Sequence, residues 1–91
     1  MVLSHHAKIR MQQRGIPLLI IDWLAAYGEI DHQGGGSELF YFTKKARNAI
    51  TRDLGKRALR GYSKCLNAYM VVCNGGTIAT VGHRYQRIIR H

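Results

Sequence analysis

Glycine divides this chain into short pieces, and that division limits the possible folds more than any other feature. Gly15, Gly28, the run Gly34-Gly35-Gly36, Gly55 and the pair Gly75-Gly76 each close a stretch of patterned residues. Asn74-Gly75 lies between two strand-like runs, which is a strong short-range signal for a hairpin. The pieces between the glycines are each the size of one helix or one strand, so the chain must fold from several short elements packed together.

Ser4 is a good helix N-cap, and Leu3 before it can act as a hydrophobic staple. Ala7 and Met11 share one face of the helix that follows, and Gly15 is placed to end it. Pro17 suits the first turn of a second helix, in which Leu18, Ile21, Leu24 and Ala25 share a face and which Gly28 closes. Residues 29–33 and 38–43 then read as strands joined by the glycine-rich connection. Leu39-Phe40-Tyr41-Phe42 is strongly strand-favouring.

Thr43 can cap a third helix over residues 44–62. Its apolar side is Ala46, Ile50, Leu54, Ala58 and Tyr62, and Gly55 ends or kinks it. Residues 66–73 and 77–83 make the last hairpin, where Ala79 and Val81 alternate with Ile78 and Thr80. The order α-α-β-β-α-β-β defines an α+β fold with an antiparallel sheet. At 91 residues the chain is expected to be one domain, residues 1–91.

Charge narrows the function. Fourteen Lys and Arg stand against five Asp and Glu, a net charge of +9. Residues 22–43 hold four acids and no base, whereas residues 44–64 hold eight bases and one acid. Such asymmetry attracts a polyanion, and RNA or DNA is the expected partner. An acidic protein partner is the alternative reading of the same charge.

The longest apolar run, residues 16–21, is far short of the roughly 20 residues of a membrane span. The N-terminus lacks a signal-peptide core, so a cytoplasmic protein without a membrane partner is expected. Cys65 and Cys73 read as two buried thiols. The triple glycine is not followed by Gly-Lys-Ser/Thr, which argues against a phosphate loop. The five carboxylates form no spaced cluster, and no metal or other cofactor is implied.

Two clusters could carry chemistry. His6, Arg10 and Arg14 recur at intervals of four, so they stack on one helix face, with the arginines suited to phosphate. At the end of the last strand, His83 and Tyr85 point to one face and Arg84 to the other, with Arg87 beyond. Histidine, tyrosine and arginine supply the proton acceptor, proton donor and cation that metal-independent RNA cleavage needs. His6, His83 and Tyr85 are therefore the candidate catalytic residues. Arg10, Arg14, Lys44, Lys45, Arg47, Arg52, Arg84 and Arg87 are the candidate nucleic-acid-binding residues.

The run His6-Ala7-Lys8-Ile9-Arg10-Met11-Gln12-Gln13-Arg14-Gly15-Ile16 resembles an H-A-x-x-R-M-x-x-R-G-I signature. That signature marks a bacterial family of small domains of unknown function related to RelE/ParE-like toxins. Residues 77–84 are similar to the last strand of the same family. The resemblance implies a helical hairpin followed by a small curved antiparallel sheet, with sites at His6, Arg10, Arg14, His83 and Arg84. It also implies a toxin or effector, most simply a metal-independent ribonuclease of toxin–antitoxin type, with a small acidic antitoxin or immunity protein as partner. The alternative is a non-catalytic nucleic-acid-binding or protein-interaction module, such as a phage or mobile-element accessory protein.

Overall fold

The structure, a computed structural model, describes residues 1–84. It is an α+β fold with strands β1 (Val2–Leu3), β2 (Glu29–Gly34), β3 (Ser37–Tyr41), β4 (Ala68–Cys73) and β5 (Thr77–His83). The helices are α1 (His5–Arg14), α2 (Leu18–Tyr27), α3 (Lys44–Leu54) and α4 (Lys56–Gly61). The sheet order is β1-β5-β4-β3-β2.

Several expectations are corrected. The sheet is mixed rather than antiparallel, because Val2 and Leu3 pair in parallel with Thr77 and Ile78. Leu3 thus belongs to a strand before it can staple a helix. The helix read over residues 44–62 ends at Gly55, one of the two outcomes expected there, and continues as a second helix, since Gly55 takes φ 88° and ψ 161°, outside the helical region. Pro17 stands one residue ahead of the first turn of α2, extended at φ −75° and ψ 158°. Cys65 is buried, but Cys73 is only half-buried.

The core lies between the helices and one face of the sheet. Ile20, Leu24 and Ile50 from α2 and α3 meet Phe40, Met70, Val72, Ile78 and Val81 from the strands. Trp23 packs edge-on against Tyr62 at 5.4 Å between ring centres.

A bulge decides which residues of β5 join this core. Ile78 and Val81 are three apart, so plain alternation would send them to opposite faces. The register shifts between Val71 and Val72: Val72 pairs with Ile78, Val71 with Thr80, and Ala79 is the extra residue. Both Ile78 and Val81 therefore reach the core, at 1% and 2% exposure. The simple alternation expected along residues 78–81 fails for this reason. One consequence is that Thr80 and Gly82 share the opposite, open face with Val71 and Tyr69.

Helix α1 is fixed to β5 at both ends. The Ser4 backbone N–H donates to the Ile78 carbonyl at 3.0 Å, and the Ser4 hydroxyl donates to the Ala79 carbonyl at 3.2 Å. The same hydroxyl accepts the Ala7 N–H, capping the helix. At the other end, Arg14 contributes its carbonyl to His83, 69 residues away. Ten helical residues rise about 15 Å, and four strand residues about 13 Å, so helix and strand stay level along their length. Gly15 closes α1 in the left-handed region at φ 64°, with Ile16 N–H donating to the Met11 carbonyl.

Candidate functional site

The level packing of α1 on β5 brings Arg10 and Arg14 of the first sequence cluster and His83 of the second into one place. Arg10 and Arg14 lie one helical turn apart on the side of α1 that faces β5. With Tyr69, Thr80, Val81, Gly82 and His83 they line a cleft of about 210 Å³. That is below the roughly 300–1,000 Å³ of a typical small-molecule pocket. Among the described residues no carboxylate lines it.

His83 is held on both sides. Its Nδ1 lies 2.7 Å from Asn67 Oδ1, and its Nε2 lies 3.0 Å from the Arg14 carbonyl oxygen. Asn67 is oriented in turn, because its Nδ2 donates to the Arg84 carbonyl and its own carbonyl accepts the Arg84 N–H at 2.7 Å. Both ring nitrogens thus face acceptors within the protein. A substrate hydroxyl would reach His83 only by displacing one of them. His6 does not line the cleft; its Nε2 accepts from Arg10 Nε at 3.4 Å at the exposed margin of α1.

Tyr69 is the member of the site that sequence reasoning missed. It sits on β4 opposite Gly82, in a run whose apolar character reads as strand and nothing more. Gly82 has no unusual φ. Its role is clearance, because a Cβ there would stand 3.0 Å from Tyr69 Cε1 and 3.0 Å from its hydroxyl oxygen. The ring lies across the strand with its hydroxyl end over Gly82. That hydroxyl makes no hydrogen bond among the described residues. A glycine in the middle of a strand was the available signal.

The remaining candidates lie elsewhere. The Arg84 guanidinium stacks on Tyr41 at 4.6 Å and reaches the Phe42 carbonyl at 3.4 Å. Burial pulls its pKa below the ordinary arginine value. Lys44, Lys45, Arg47 and Arg52 are all exposed on α3, and none of them lines the cleft. Tyr85 and Arg87 lie outside the described residues.

A second concavity, apolar and about 620 Å³, opens on the other side of α1 between Leu3, Met11, Ile16 and Leu18. Among the described residues no group of three or more His, Cys, Asp or Glu could hold a metal, and no helix is long and apolar enough to cross a membrane. None of the protein-family models, curated proteins or solved structures compared with this chain matches it.

Proposed function

We propose that this protein is an RNA-directed effector that seats a backbone phosphate in the cleft between α1 and β5. The observation that carries this reading is the convergence of Arg10 and Arg14 with His83 in one polar, carboxylate-free cleft. Arginine donors at fixed positions suit phosphate oxygens. The exposed bases of α3 and α4 add long-range attraction, consistent with the net charge of +9.

The test is binding of a labelled RNA across a salt series. Affinity should fall steeply with salt. The double change Arg10→Ala/Arg14→Ala should flatten the salt slope by up to about 2. Binding that ignores salt, or that the double variant leaves intact, would refute the reading.

Cleavage is the second reading, favoured by His83 sharing the cleft with both arginines. In it the protein is a ribonuclease toxin of RelE/ParE-like kinship, restrained by a small acidic antitoxin. The helical hairpin leading into the sheet supports that kinship. His83 would exchange its bond to the Arg14 carbonyl for a bond to the substrate, since catalytic hydrogen bonds often form only in the complex. Total RNA incubated with the protein and a chelator should be cut, and His83→Ala should abolish the cutting. Intact RNA with the parent protein leaves the binding reading standing alone.

A further inference from the structure

We infer that the Tyr69 ring, seated across Gly82, is a stacking platform for one unpaired base, so that the cleft selects single-stranded over paired RNA. The inference rests on the phosphate-binding reading of the same cleft. Three observations support it.

First, the ring is placed rather than free. The register sets Tyr69 directly opposite Gly82, and the missing Cβ lets the ring lie over β5 beside the phosphate-binding arginines. Second, its neighbour on the same face is differently committed. Tyr41, opposite Tyr69 on β3, is buried at 4% exposure and already carries the Arg84 guanidinium. Tyr69 is half-buried and carries no such partner among the described residues. Third, the cleft holds about 210 Å³, a volume of the order of one ring and a phosphate. Aromatic rings stack any base, but only one that has left its own stack.

A tyrosine covering a strand glycine also has a purely structural use, as a cross-strand cover. The experiment must separate the two roles. Fluorescence anisotropy would compare three labelled probes: a single-stranded octanucleotide with 2′-O-methyl sugars, which resists cleavage, its abasic counterpart with the same phosphates, and its duplex.

The parent protein should prefer the single strand over the abasic probe by roughly 5- to 100-fold. Tyr69→Leu should erase that preference, bringing the affinity for the single strand down to that for the abasic probe. Tyr69→Phe, which keeps the ring, should retain it. Gly82→Ala should reduce it by tilting the ring, without altering charge.

Equal losses on all three probes in Tyr69→Leu would overturn the inference and assign the ring a structural role. So would a parent protein that does not distinguish the single strand from the abasic probe. If the parent protein binds none of the probes, the phosphate reading fails first, and that outcome is distinct from both.

Discussion

The α1–β5 cleft and the α3–α4 helices carry the same sign of charge and hold it in different ways. On α3 and α4 the bases stand on exposed faces of short helices, and Lys44, Lys45, Arg47, Lys56, Arg57 and Arg60 are all open to solvent. Such charges attract at a distance and are screened by salt. In the cleft the described residues place two arginines, Arg10 and Arg14, and the helix that bears them is fixed to β5 at Ser4 and Arg14. Where eight bases in 21 residues supply a field, two arginines and a histidine supply a position. Net charge alone therefore says little about where a ligand is read.

The comparison can be broken most forcibly through the core. Ile78→Ala removes a side chain at 1% exposure from the strand that carries the cleft. It should cost about 2–5 kcal/mol in urea unfolding. Lys44→Ala, on the exposed helix, should stay within about 0.5 kcal/mol of the parent.

The next largest effect is on binding. Removing Arg10 and Arg14 should speed dissociation of RNA by roughly 10- to 100-fold, as expected for charge-assisted bonds made at close range. Removing Lys44 and Lys45 should mainly slow association, by a few-fold and only at low salt. Equal effects of the two pairs on dissociation would erase the distinction drawn between the two regions.

The helix caps sharpen it further. Ser4 and Thr43 both accept a backbone N–H three residues on, but only the Ser4 hydroxyl also donates to another element. Ser4→Ala should cost about 1–2 kcal/mol and Thr43→Ala about 1 kcal/mol, by chemical denaturation.

The smallest effect concerns pH, at the contact between α2 and α3. The Arg52 guanidinium, and then the Tyr27 hydroxyl, hold the Asp53 carboxyl below its ordinary value. A depressed carboxyl stabilises the fold above its unfolded pKa, and that contribution is lost as pH falls through the folded value. An NMR titration of Asp53 should therefore show a low midpoint, raised more by Arg52→Gln than by Tyr27→Phe. The same bond raises the Tyr27 phenol, mainly through its hydrogen bond to Asp53, so its share is lost only as pH rises through the folded tyrosine value.

Local chemistry made much of the fold legible. Ser4 and Thr43 cap helix starts, Gly15 ends α1 at a left-handed φ, Gly28 ends α2 where a Cβ would collide with the Leu24 carbonyl, and Asn74-Gly75-Gly76 marks the last hairpin. What stayed hidden is non-local. Two residues, Val2 and Leu3, show no periodicity, and their pairing spans 75 positions. The bulge at Ala79 leaves no compositional trace, yet it sets the faces of Ile78, Thr80, Val81 and Gly82. The stacking of Arg10 on Arg14 follows from helical spacing, but the arrival of His83 beside them does not. Tyr69 was signalled only through the strand glycine, because its placement depends on Gly82, 13 positions away, being directly across the sheet.

The parallel pairing of β1 with β5 also has a meaning in time. A chain made from its amino end produces α1 early, but the strand that α1 docks against is the last of the described elements to emerge. Until residues 77–83 are in place, Ser4 has no Ile78 or Ala79 to meet, and Arg14 has no His83. The cleft is therefore assembled last, after the other strands can already pair. A nascent or cleaved chain that lacks β5 has every cation of α1 and α3 but no α1–β5 cleft, so any action that depends on the cleft begins only when that strand has been made.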